Sequence, residues 1–157
     1  MNQEEKSAFI QAEMFLLLQN ISEKQIPLWG KMNAQQMLEH LNDFFEVSIE
    51  KIIFPLVTPK EYLPKYREFL YSDKAFRENT KAPASVLGDD PLPVKTASIQ
   101  AAKEKLQDTV HSFFEFFKTQ PNNKTLHPVF GLLSFEEWIM LHYKHVMHHY
   151  RQFALIP

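Results

Sequence analysis

Apolar residues recur every three or four positions along much of this chain, the period of a helix with one buried face. The clearest run is Ile99, Ala102, Leu106, Val110, Phe113 and Phe117. Another opens at Asn33, with Gln36 as a capping partner, and continues through Met37, Leu41, Phe44 and Phe45. A third opens at Ser134 with Glu137, again a capping box, before Trp138, Leu141 and His145. The early stretch "SAFIQAEMFLLLQ" is apolar nearly all round and predicts a buried helix.

Proline marks the connections. The ten prolines bound proline-free windows at 1–26, 28–54, 65–82, 94–120 and 129–156, and proline breaks helix interiors. The pattern predicts four long helices, at 4–20, 33–53, 98–119 and 135–153. The stretch 55–97 holds six of the ten prolines and one short helix, Lys60 to Tyr71. There is no repeat and no low-complexity tract. The expected fold is all-α: a four-helix bundle forming a single domain over 1–157, with a long connection between the second and third helices.

Composition narrows the function classes. The chain has 157 residues, 45% hydrophobic, with 14 Phe, enough for a full core. Lys plus Arg is 17 against 19 for Asp plus Glu, with no basic stripe, so a nucleic-acid partner is not expected. Zero cysteines remove disulfides, thiolate metal ligands and a cysteine nucleophile together. The start "MNQEEKSAF" does not read as a leader, and no apolar run approaches the ~18 residues of a membrane span. The expectation is a soluble cytoplasmic protein without membrane contact.

Histidine is the candidate chemistry. The segment "KHVMHHYRQ" holds three of the seven histidines, and His142 lies two residues before it. At about 100° per residue, His149 lies roughly 40° to one side of His145 and His148 about 60° to the other. Trp138, Leu141, His142 and Gln152 also fall near that face, which is apolar higher up and so faces the bundle. An i, i+4 pair can aim two imidazoles at one point. A third ligand must come from another helix, and His40 qualifies because it shares the apolar face of Met37 and Phe44. Pairings of His142 with His145, or of His145 with His148, stay open on geometry, as does the reading of all these rings as buried core histidines. A di-iron centre of the Glu-x-x-His type is disfavoured, because no histidine has a Glu three residues before it. The H-E-x-x-H pattern is absent too.

Three segments, "WGKMNAQQMLEHL" (29–41), "HPVFGLLSFEEW" (127–138) and "KHVMHHYRQF" (144–153), resemble the DinB-like superfamily, also called the DinB/YfiT metalloenzyme fold. The resemblance implies a four-helix bundle in up-down-down-up order with a long second connection. It also implies a metal held by one His on the second helix and an H-x-x-x-H pair on the fourth: here His40, His145 and His149. Many members read "HHRGQ" where this chain reads "HHYRQF"; Gln152 is retained and Arg151 is displaced by one. The "HP-x-FG" element, His127 to Gly131, reads as a turn leading into the last helix. Trp29 and Trp138 read as core, as do Tyr62, Tyr66, Tyr71 and Phe76. Lys144 and Arg151 read as solvated or as capping the last helical turns.

Three neutral imidazoles would leave a coordination position open, as in catalytic sites, and nitrogen ligands suit Zn²⁺ or Ni²⁺. Such an ion can lower the pKa of bound water or deprotonate a bound thiol. The resemblance implies the second use: a thiol-dependent S-transferase or isomerase acting on a small molecule, with a low-molecular-weight thiol cosubstrate. It also implies a homodimer. A metal-dependent hydrolase, a metal-binding bundle without turnover and a purely structural helical protein are the alternatives. Metal release is expected as the imidazoles protonate, near or below ~6.5.

Overall fold

The capping signals lie where helices begin. In the computed structural model, which describes residues 1–80 and 90–157, helix α1 starts from an Asn2 capping box. It runs through three consecutive segments, Gln3–Ala8, a π-helical stretch Phe9–Glu13, and Met14–Leu18. Helix α2 (Ala34–Ser48) starts from the Asn33–Gln36 box. A 3-10 turn, Lys60–Tyr62, leads into the short helix α3 (Leu63–Tyr71). Helix α4 (Ile99–Thr119) is capped by Ser98 and α5 (Phe135–Gln152) by the Ser134–Glu137 box. Between α4 and α5 lies a two-stranded antiparallel hairpin, β1 (Thr125–His127) and β2 (Gly131–Leu133). The described residues are thus mostly helical with one small sheet.

Three expectations need correction. The first helix is not buried all round: Phe9, Ile10, Met14 and Leu18 face the core while Leu16 is 61% exposed. It packs on α5 and touches α4, and one helix face suffices for both. The second helix ends at Ser48 and not at 53. Glu50 turns left-handed at φ 64°, and the Lys51 N–H returns to the Glu46 carbonyl at 2.9 Å, closing the helix well before Pro55. The "HPVFG" element is a hairpin and not a simple turn, with His127 paired to Gly131 across it. Gly131 sits at φ +83°, a conformation a side chain resists.

A chain of hydrogen bonds fixes the hairpin to the helices. The Trp138 indole donates to Thr125 Oγ1, which in turn donates to the Ser48 carbonyl, joining α5, β1 and the end of α2. The Val57 N–H and Thr58 hydroxyl donate to the Pro128 and Val129 carbonyls, holding the hairpin tip. Tyr150 donates to the Met14 carbonyl and ties α5 to α1. Helices α2 and α4 share the most extensive helix–helix packing. Their inward faces, Met37, Leu41 and Phe45 against Leu106, Val110 and Phe113, are the positions the three-and-four spacing marks. Part of the stretch 55–97, residues 81–89 with Gly88, lies outside the described residues. Several of its described residues, among them Tyr62, Tyr66, Phe76 and Lys95, line the cavity into which α2 and α5 present His40, His145 and His149. Among the described residues, no helix is long and apolar enough to cross a membrane.

Candidate metal centre

Helix periodicity places His145 and His149 one turn apart on the inward face of α5, and the packing of α2 brings His40 to meet them. His40 Nε2 lies 2.9 Å from His145 Nε2, which lies 3.1 Å from His149 Nε2. All three donor atoms fall within 4.8 Å of one another. A tetrahedral ion with nitrogens about 2.0–2.1 Å away sets those nitrogens about 3.3 Å apart, close to the spacing of the two short contacts.

The surroundings decide the protonation of these rings. Burial, with His148 nearby, pushes His40 down to about 4, and burial holds His145 and His149 well below the ordinary imidazole range. All three are therefore neutral at pH 7, the form that ligates. His149 Nδ1 lies 2.7 Å from Gln152 Oε1, an acceptor, so Nδ1 carries the proton and Nε2 the lone pair. Gln152 is itself oriented, because its Nε2 donates to the Trp29 carbonyl at 3.0 Å. Gly30 makes the room: a Cβ there would stand 2.9 Å from Gln152 Nε2.

A hydrogen-bond account of the trio is incomplete. With a lone pair on His149 Nε2, the single His145 Nε2 must serve two neighbours with either one proton or one lone pair. Donation to His149 makes His40 depend on a shared proton; acceptance from His40 sets two lone pairs facing. One cation satisfies all three nitrogens. The trio thus fits a divalent ion that takes nitrogen ligands, and the group could hold one.

The other histidines go elsewhere. His142 stacks on Phe45 at 3.8 Å between ring centres and on Trp138 at 5.1 Å, apart from the convergence point. His148 packs against Trp29 and Phe76. His127 turns its Nδ1 to the Val129 and Phe130 N–H groups of its own hairpin.

The trio opens into a cavity of about 980 Å³. Trp29, Tyr62, Tyr66 and Phe76 line it, so core is the wrong reading for Trp29, Tyr62 and Tyr66; Trp138 is fully buried and core, as the helix pattern indicates. Tyr71, 60% exposed, donates to Glu137 instead of packing inside. Tyr66 and Tyr71 stay out of the core because α3 buries only Leu70. Lys144 is not solvated: it is 8% exposed and its ammonium donates to the Ser72 and Lys74 carbonyls, fastening the segment after α3. Arg67, paired with Glu137, fastens α3 to the start of α5. Glu39 fastens a further segment to α2. Burial would raise its pKa, but hydrogen bonds from Thr96 and Lys95 outweigh that and keep the carboxylate ionised, docking residues 95–96 onto α2. None of these pairings has a sequence signature, because each joins segments more than 50 positions apart.

Comparison with protein families matches residues 11–153 to the DinB superfamily. No curated protein and no solved structure matches the chain.

Proposed function

The chain belongs to the DinB superfamily, and from that premise we propose that it is a divalent-metal-dependent enzyme with His40, His145 and His149 as the ligands. The observation that carries this reading is the convergence of three neutral Nε2 atoms with His149's tautomer fixed by Gln152. Bound there, Zn²⁺ or Ni²⁺ would supply a Lewis acid that lowers the pKa of a bound thiol or water. The chain's own residues do the rest. Gln152 orients His149, and Phe44, packed at 5.3 Å from both the His40 and His145 rings, shields the nitrogens from bulk water. The cavity walls position a small-molecule substrate beside them.

Thiol-dependent S-transfer or isomerisation is the activity this reading favours. The chain carries no cysteine, so the sulfur must belong to a low-molecular-weight cosubstrate, and the cavity has room for one. The same reading takes 1–157 as one domain, an up-down-down-up four-helix bundle in which α3 belongs to the long second connection. It places the protein in the cytoplasm as a homodimer, without a nucleic-acid partner.

Metal analysis of protein purified without a histidine tag should give close to one divalent ion per chain. His40→Ala should reduce this severely; full retention would overturn the ligand set. Consumption of a low-molecular-weight thiol against a panel of electrophiles should require the metal and stop on chelation. A metal-dependent ester hydrolysis without thiol consumption would favour the hydrolase, and metal without turnover a binding protein.

A further inference from the structure

The cavity carries a charge pattern that the metal reading does not use. Among the described residues three acidic side chains line it, and each is engaged. Asp43 pairs with Lys95 at 3.3 Å and Asp90 with Lys31 at 3.0 Å. Glu39 accepts from Thr96 and from the Lys95 N–H. Lys65, Lys74 and Arg77 line the same cavity, and among the described residues no ion pair reaches any of them. The described lining thus holds a surplus of cations, in a chain whose net charge is -2. These cations flank an aromatic wall. Tyr66, Phe130, Phe69 and Phe76 follow one another along the cavity, with 5.6, 6.4 and 5.2 Å between successive ring centres. The row ends beside the trio, since the Phe76 ring lies 6.5 Å from the His145 ring. Lys65 precedes Tyr66 in the chain and Arg77 follows Phe76, so a cation is anchored at each end of the row.

We propose that the cavity takes a small organic anion, with its apolar or aromatic body on the row from Tyr66 to Phe76 and its carboxylate or phosphate head drawn by Lys65, Lys74 and Arg77. Stacked and edge-on rings hold a flat apolar body. A guanidinium meets a carboxylate or phosphate with two parallel N–H bonds, and lysine ammonium groups add point charges. A cleft with one sign of charge in excess also gathers ligands of the other sign. Because the row runs up to His145, the body of such a ligand would lie beside the trio. The proposal deepens the enzyme reading and rests on it for the ligand's role as substrate; the binding itself needs no metal.

The probes are 3-phenylpropionate and phenyl phosphate, with 3-phenylpropanamide as the uncharged counterpart, titrated by calorimetry into metal-free protein at low salt. At least one anion should bind about tenfold more tightly than the amide, the effect of one charge-assisted hydrogen bond. The tighter anion identifies the head group, and the preference should shrink as salt is raised. Arg77→Gln, and Lys65→Gln combined with Lys74→Gln, should each bring the preference below about threefold. All three side chains are exposed, so the variants should fold. Lys118→Gln removes a charge at the end of α4, outside the cavity lining, and should leave the preference intact. Absent anion binding, equal affinity for anions and amide, a preference that survives both cavity variants, or one that falls equally in Lys118→Gln would overturn the proposal. A protein that prefers the anions but takes up no ion would refute the metal centre and keep this proposal; one that takes up the ion and ignores ligand charge would do the reverse.

Discussion

At the scale of single residues, the proposed centre depends on atoms beyond the three Nε2 that converge. Gln152 fixes which nitrogen of His149 carries the proton, and Gly30 leaves the space in which Gln152 can do so. Removing such a partner typically costs 10–100-fold in metal affinity. Gln152→Ala should therefore weaken Zn²⁺ binding about 10–100-fold, read by competition with a chelating dye, while far-UV circular dichroism stays unchanged. Gly30→Ala should act in the same direction by displacing the Gln152 amide, with added backbone strain because Gly30 sits at φ +81°. Equal affinity in both variants would mean that His149 is oriented by something else.

At the scale of elements, the start of α5 serves two purposes. Ser134 and Glu137 cap it, and the Glu137 carboxylate also accepts from Tyr71 and pairs with Arg67 of α3. The two contributions separate by mutation. Ser134→Ala should cost about 1 kcal/mol, the usual loss of a helix cap. Glu137→Ala should cost about 2 kcal/mol, because the cap partner and the attachment of α3 go together. It should also raise hydrogen exchange in Leu63–Tyr71 selectively, which Ser134→Ala should not do. Urea unfolding and amide exchange check both statements. The core faces of α2, α4 and α5 and the capping boxes of α2 and α5 are legible in the sequence because they are local, set by residues three or four apart. The early end of α2 is not, since the turn at Glu50 follows no proline or glycine. Nor is the hairpin: strands of three residues are too short to show an alternating pattern.

At the scale of the whole molecule, burial of neutral imidazoles links folding to pH. His40, His127, His142, His145 and His149 all have folded pKa values depressed by burial, to about 4 for His40 and about 3 for His127. The unfolded chain takes up protons near ~6.5 while the folded chain does not, so stability of the metal-free protein must fall with decreasing pH. The loss should begin near pH 6.5 and continue to about 4, each such group adding at most about 1.4 kcal/mol per pH unit. Thermal unfolding from pH 7.5 to 4.5 checks it; a flat midpoint would contradict the buried neutral state. Zn²⁺ added at neutral pH should raise the midpoint through binding to the folded state alone, and chelation should reverse the rise. The bound metal should survive at pH 6 and be lost by about pH 4, as ligand protonation displaces it.

The sequence by itself determined where the long helices lie, the caps of α2 and α5, the inward faces of α2, α4 and α5 and the placing of His145 and His149 one turn apart, because each follows from the 3.6-residue period acting over a few positions. It also singled out His40, 105 positions before His145, through its place on an apolar face. Only the tertiary structure decided that these nitrogens stand about 3 Å apart, that His142 and His148 turn elsewhere, and that Tyr62 and Tyr66 line a cavity. Those outcomes depend on how helices distant along the chain slide and rotate against one another, and no local spacing encodes that.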